Sequence, residues 1–301
     1  MKILIICGPT GSGKSALGLK IAETFNGEIV SCDSVQIYRG FDIGSAKPTQ
    51  DEQNRIPHHM IDIVNWSQDF DAGQYAVMAR AAATQIRERG KLPIVVGGSG
   101  LYLRAFLGEG WHADLPKNDD LRKKLNEKTV DELRDTLEKL DPIRAKEIHP
   151  NDKFRLARAL ELLTLLGKPV REVERKGELP ECLNDPYIIF LDPPRKYLHE
   201  TILNRTKSML ATGLVEEVRS LLAEGCPWNA KPMQTIGYKE TFRFLRGEFE
   251  TSQLEELILF ATRQYAKRQM TWFKKVNVSE RIPYEASMDS AVMKRLSLLK
   301  S

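Results

Sequence analysis

The chain has 301 residues, 42% of them apolar, and a formal charge of +4, enough for one large α/β domain plus an appendage but too little charge to declare a polyanion partner. Its four cysteines, Cys7, Cys32, Cys182 and Cys226, lie far apart with no Cys-x-x-Cys pair, which argues against a zinc site or a disulfide framework. The apolar run Ile3 to Cys7 is too short for a signal peptide and no later run approaches membrane-spanning length, so a soluble, cytoplasmic protein is expected.

Lys2 to Cys7 reads as a buried strand, and the helix after the glycines that follow carries Leu17, Ile21 and Phe25 at helical spacing. A second strand, Glu28 to Cys32, ends in Asp33-Ser34. Tyr75 to Arg89 has helical periodicity, and Leu92 to Val96 is a third strand that runs into Gly97-Gly98-Ser99-Gly100. Strand, helix, strand in this order predicts an α/β fold, a parallel sheet flanked by helices with its chemistry at the carboxyl ends of the strands. From about Asp114 to about Leu183 the texture changes to short charged helices. A mainly helical insertion is therefore expected over 114–183, between a first part of the core at 1–113 and its return at 184–301. Within it, Thr129-x-x-Glu132 is a capping box, Asp141-Pro142 a cap with proline in the first turn, and Asn151-Asp152 another start whose helix stops at Gly167. Tyr187 to Leu191 is the strand that rejoins the sheet, with helix expected beyond it to about Lys275.

Gly8-Pro9-Thr10-Gly11-Ser12-Gly13-Lys14-Ser15 matches G-x-x-x-x-G-K-[ST] between a strand and a helix, so the expected fold is P-loop NTPase-like, a parallel sheet flanked by helices with a mainly helical insertion. The glycines let backbone N–H groups converge on phosphate oxygens, the helix N-terminus adds its positive end, Lys14 neutralises charge and the Ser15 hydroxyl can bind Mg²⁺. A P-loop ATPase also needs a carboxylate after a hydrophobic strand. Here Ile94 to Val96 runs into glycines, and the acids on offer are Asp33 and Asp192. Asp33 is expected at the P-loop mouth, either acting on the group that receives the transfer or serving as a helix cap or outer metal partner. Arg205 borders the apolar stripe Leu198, Ile202, Met209, where a guanidinium is costly unless it meets an anion or an ion-pair partner.

Positive charge concentrates in two stretches. Arg155 and Arg158 share a predicted helix face opposite Leu156, Leu160 and Leu163, while Arg263, Lys267 and Lys274 follow one stripe of a late helix on which Tyr265 and Trp272 form another. Each alone reads better as a solvated amphipathic face, and the two together in a P-loop protein shift the balance toward a polyanion.

With these residues laid out, the chain resembles the tRNA dimethylallyltransferase (tRNA isopentenyltransferase) family, bacterial type. The resemblance rests on the P-loop and on Asp33 to Arg39, Asp42 to Pro48, Pro57 to Asp62, Gly97 to Tyr102, Ile236 to Glu240 and Arg263 to Gln269, in that order. Ser99 stands where the family usually has threonine and Gly11 where a small side chain is usual. The resemblance implies transfer of a dimethylallyl group from dimethylallyl diphosphate to N6 of the adenosine 3′-adjacent to the anticodon, in tRNAs reading codons beginning with U, with Mg²⁺ as cofactor. It implies that Gly8, Pro9, Thr10, Gly11, Ser12, Gly13, Lys14, Ser15 and Arg205 hold the diphosphate, with Ser15 on the metal. Asp33 would take the N6 proton while Thr10, Lys14, Ser15 and Arg205 stabilise the leaving diphosphate. The target base must be flipped from its stack, and the positions matching tRNA contacts are Asp33, Ser34, Val35, Gln36, Ser99, Arg122, Phe154, Arg155, Leu156, Ala157, Arg158, Gly237, Tyr238, Lys239, Arg263, Lys267 and Arg268. The partners implied are the tRNA anticodon stem-loop and dimethylallyl diphosphate. No membrane or protein partner is implied, and a monomer is expected. The residues alone also admit a P-loop small-molecule kinase, which would consume ATP, or an RNA-binding switch NTPase, which would bind nucleotide tightly and in an RNA-sensitive way.

Overall fold

The computed structural model of the chain describes residues 2–108, 115–173 and 179–300, and Asp114, the expected start of the insertion, lies outside them. By their contacts the residues divide into two compact units, Met1–Glu109 with Glu178–Ser301, and Gly110–Gly177.

The larger unit is built on a six-stranded, wholly parallel sheet in the order β3-β2-β4-β1-β5-β6. β1 (Leu4–Cys7) leads through the P-loop into α1 (Lys14–Phe25). β2 (Gly27–Cys32) is followed by α2 (Gln50–Arg55), the two-residue β3 (His58–His59) and α3 (Ala72–Glu88). β4 (Leu92–Gly97) precedes α4 (Gly100–Leu107). Strands β1, β2 and β4 are buried along their whole length, which is why β1 and β4 read as apolar runs rather than alternations, while β2 buries Glu28 and Ser31 as well. Leu4 and Ile6 of β1, Ile29, Ile94, Val96, Ile189 and Leu191 form one apolar core with Leu17, Ile21 and Phe25 of α1. α3 begins three residues before the predicted Tyr75, because the Asp71 side chain accepts from the Gly73 and Gln74 amides while Gln74 reaches back to the Asp71 N–H.

The smaller unit holds α5 (Asp119–Glu127), α6 (Val130–Leu140), α7 (Pro142–Glu147) and α8 (Lys153–Leu166). Their caps are those read from the sequence: Thr129 with Glu132, Asp141 before Pro142, and Asp152. α8 ends at Gly167 with φ 66°, a left-handed conformation that suits glycine. The unit has its own core of Leu125, Leu133, Leu137, Ala145, Ile148, Leu156, Ala157 and Leu160.

The chain rejoins the sheet at β5 (Tyr187–Leu191), beside β1. It continues through α9 (Arg195–Ala211), α10 (Leu214–Ala223), α11 (Tyr238–Leu245) and α12 (Thr251–Phe273), then adds β6 (Glu280–Ile282) and α13 (Asp289–Lys300). Val292 and Leu296 of α13 close the core over α1. No helix among the described residues is long and apolar enough to cross a membrane.

Candidate active site

The carboxyl ends of β1, β2 and β4 open onto a cavity of about 310 Å³ within the larger unit. Its polar wall contains Thr10, Lys14, Ser15, Asp33 and Arg205, and its apolar wall includes Val96, Ile202, Met209 and Ile258. Polar groups from three separate stretches of the sequence, the P-loop, Asp33 and Arg205, thus face one space.

The P-loop supplies the first wall. Gly13 adopts φ 84° as the residue before α1, a left-handed turn that lets the loop wrap round the helix N-terminus. Lys14 Nζ donates to the Pro9 carbonyl at 3.2 Å. Its pKa falls from the usual 10.5 to about 8, first because the amine is buried and next because Arg205 repels its charge, with Asp33 acting in the opposite sense. Ser15 is exposed in the first turn of α1 and lines the cavity. Gly8, Pro9, Gly11, Ser12 and Gly13 shape the loop without lining the cavity: Gly11 backs onto Ile202 and Gly13 onto Tyr284, while the buried Ser12 Oγ has no hydrogen-bond partner.

Asp33 stands one residue beyond β2. Its Oδ1 accepts the Val35 N–H at 2.8 Å and the Gln36 N–H at 3.3 Å. One carboxylate oxygen therefore fixes the turn. Ser34, Val35 and Gln36 line the cavity beside it, and Ser99 holds this turn from β4, its hydroxyl accepting the Ser34 N–H at 3.2 Å. Cys32, adjacent to Asp33, is pushed up to about 12, chiefly by burial, and is no nucleophile at neutral pH. The alternative acid, Asp192, pairs with Arg281 at 3.4 Å and does not line the cavity.

Arg205 reaches the cavity from α9, whose Leu198, Ile202 and Met209 are buried as the spacing predicted. Its Nη2 donates to the Ser45 carbonyl at 3.4 Å. Burial lowers its pKa, and the nearby Asp33 acts against that fall. An incoming anion meets two partly desolvated cations here.

Gly237 and Arg268 also line the cavity. Lys239, Arg263 and Lys267 are exposed on α11 and α12, and the Arg268 guanidinium lies 5.7 Å from the Tyr265 ring centre. The Tyr265 phenol is pushed up to about 12 by burial and by Asp33, while a hydrogen bond with Ser99 works the other way. Tyr238, expected at a tRNA-contacting position, keeps its side chain inside the unit. Its ring is fully buried beside Gly44, where a Cβ would fall 2.5 Å from it, and its hydroxyl donates to Glu217.

In the smaller unit, Phe154 is 79% exposed and the Arg155 side chain 68% exposed. Leu156 and Ala157, named among the positions matching tRNA contacts, have side chains packed in that unit's core. Arg158 does not share the solvent face of Arg155, because it turns back onto Glu161 at 2.6 Å. Arg122 grips the same carboxylate at 2.8 Å. Burial alone would raise the Glu161 pKa, but the hydrogen bonds from Arg122, the Asn118 N–H and Arg158 outweigh it and hold the carboxyl below its usual range. These two arginines have a structural task that spacing alone did not reveal.

The comparisons with known proteins fit this geometry. Residues 36–276 match the family model described as IPP transferase. A tRNA dimethylallyltransferase 1 of Trichlorobacter lovleyi is 42% identical over 286 residues, covering 94% of each chain. A tRNA dimethylallyltransferase of Geobacter metallireducens is 42% identical over 297 residues, covering 96% of this chain and 94% of its own. The chain belongs to the IPP transferase family. Among solved members, the full-length tRNA isopentenylpyrophosphate transferase of Bacillus halodurans superposes with a TM-score of 0.71 at 33% identity, covering 99% of this chain and 96% of its own. A eukaryotic dimethylallyltransferase acting on tRNA gives 0.81 at 30% identity over 98% of this chain and 77% of its own.

Two polar residues of this IPP transferase carry a role that the sequence did not assign, although Gln269 closes the block Arg263 to Gln269. Glu217 of α10 accepts the backbone N–H groups of Asp42, Ile43 and Gly44 at 3.1, 2.7 and 3.3 Å, fixing the loop whose Ser45 carbonyl meets Arg205. Gln269 of α12 bonds the P-loop itself. As a site for Mg²⁺, the cavity offers the exposed hydroxyl of Ser15 at the P-loop, and no group of three or more His, Cys, Asp or Glu placed to cage a metal exists among the described residues. That donor set fits an ion shared with substrate phosphates, which Mg²⁺ favours over an all-protein cage.

Proposed function

We propose that this protein transfers a dimethylallyl group from dimethylallyl diphosphate to the N6 amine of the adenosine 3′-adjacent to the anticodon, in tRNAs reading codons that begin with U. The observation that carries the reading is the single cavity in which Asp33 shares walls with Lys14, Thr10, Ser15 and Arg205. Those five groups divide into a proton acceptor and a set of diphosphate partners.

The donor's diphosphate would lie against the P-loop, between Lys14 and Arg205, with its five-carbon group toward Ile202, Met209 and Ile258. The adenine, turned out of its stack, presents N6 to the allylic carbon. The C–O bond breaks with its electrons going to the diphosphate, the C–N bond forms, and the proton leaves N6 for Asp33. Lys14, Arg205 and Thr10 offset the charge that grows on the departing oxygen. Ser15 would hold Mg²⁺, which would supply further charge neutralisation when bound. Because Asp33 Oδ1 is committed to the turn amides, proton transfer falls to its other oxygen.

Phe154 and Arg155 of the smaller unit, and Lys239, Arg263, Lys267 and Arg268 of the larger, are the exposed groups assigned to tRNA. The test is transfer of label from dimethylallyl diphosphate to an anticodon stem-loop carrying the adenosine, with an inosine-substituted stem-loop as the negative control. Equal incorporation into both would refute N6 as the acceptor.

A further inference from the structure

Gln269 lies on α12, 259 residues from the P-loop in sequence, and is only 6% exposed. Its Oε1 accepts the Thr10 backbone N–H at 2.8 Å, and its Nε2 donates to the Gly98 carbonyl at 2.9 Å. The carboxamide therefore ties the loop after β1 to the loop after β4. Gly98 admits it: a Cβ at that position would fall 2.5 Å from Nε2.

Backbone N–H groups of a P-loop ordinarily serve the bound phosphates. Here the one at Thr10 is consumed by a side chain from a remote helix, while Thr10 lines the cavity. Thr10 is thus held from behind by its amide. A glutamine suits the task because it donates and accepts at once without charge. Glutamate would place an anion beside the diphosphate, and methionine would keep the bulk with neither bond.

We propose that Gln269 is a positioning residue that acts through Thr10, setting where the P-loop presents that residue to the departing diphosphate. The assignment rests on the prenyl-transfer reading, and its physical warrant is that misplacing a reacting partner by about 1 Å costs about 10²-fold in rate.

The experiment is a double-mutant cycle on the full chain with Thr10→Ala, Gln269→Met and the pair, read as single-turnover dimethylallyl transfer and as inorganic pyrophosphate affinity. If Gln269 acts through Thr10 the losses overlap: Gln269→Met lowers transfer by about 10²-fold, and the pair is within about threefold of the worse single variant in both readouts. Binding of the tRNA stem-loop stays within about twofold of wild type. Losses that multiply in both readouts overturn the proposal, as does Gln269→Met within twofold of wild type in both. If Gln269→Met does not fold, Gln269→Leu replaces it, since it too removes both bonds without adding a charge beside the diphosphate. Should wild type bind pyrophosphate but transfer no dimethylallyl group, the prenyl reading fails, and the pyrophosphate cycle still decides whether Gln269 works through Thr10.

Discussion

Arg205 depresses the pKa of Lys14 across the cavity, second only to burial, and the lysine is left near 8. A diphosphate placed between them would reverse this, because the anion stabilises the charged amine. Below pH 8 the free enzyme already carries the proton, while above it the proton is progressively absent and must be taken up on binding. Donor affinity should therefore fall as pH rises from 8 to 9.5, with proton uptake on binding climbing toward one per site. Calorimetry of dimethylallyl diphosphate binding without tRNA, at pH 8.5 in buffers of different ionisation enthalpy, measures the uptake directly. Zero uptake would place the diphosphate away from Lys14.

Asp33→Asn should separate chemistry from binding. The amide oxygen can still accept the Val35 and Gln36 N–H groups, so the turn survives, but no oxygen is left to take a proton. Single-turnover transfer should drop by roughly two to four orders of magnitude, with stem-loop affinity within about threefold of wild type. Near-normal transfer would remove Asp33 as the base.

Glu217→Ala should be costly although Glu217 does not line the cavity. It strips the acceptor from three backbone amides and from the Tyr238 hydroxyl, and each buried donor left unpaired costs about 1–3 kcal/mol unless water reaches it. A clear fall in denaturant midpoint is expected, together with weaker pyrophosphate binding, because the loop that positions the Ser45 carbonyl for Arg205 is released. Unchanged stability would show that water replaces the carboxylate without penalty.

The legible parts of the molecule were those with a local pattern. The P-loop has fixed spacing, β1, β4 and β5 are apolar runs, and Asp33 follows directly on β2. β3 and β6 span two and three residues, too few to establish any period, and they exist because neighbouring strands offer edges to pair with. Glu217 and Gln269 look like ordinary helix polars, and only the return of the chain to β1 and to the loop after β2 gives them their partners. The inward turn of Leu156 and Ala157, and the hold of Glu161 on Arg122 and Arg158, likewise depend on α5 packing against α8.

That hold sharpens the electrostatic forecast for RNA. Arg155→Ala and Lys267→Ala should each reduce the slope of log affinity against log salt by roughly 0.7 to 0.9, and should weaken cognate and non-cognate stem-loops alike, because phosphates carry no sequence information. Arg158→Ala should act mainly on folding, since it removes one of the partners of the buried Glu161. Salt titrations of tRNA binding beside thermal melts test the division. Unchanged slopes for both exposed residues would leave these charges as ordinary solvated surface.

The central claim is that the P-loop grips a prenyl diphosphate rather than a nucleotide. It is tested most directly by offering purified wild-type protein an anticodon stem-loop with Mg²⁺ and either dimethylallyl diphosphate labelled in its five-carbon group or ATP labelled in its γ-phosphate. The account predicts label in the RNA from the first donor, abolished by Lys14→Ala and inhibited by inorganic pyrophosphate, with negligible ATP turnover whether or not RNA is present. Phosphate transfer or RNA-stimulated hydrolysis from ATP, with no label from dimethylallyl diphosphate, would contradict it.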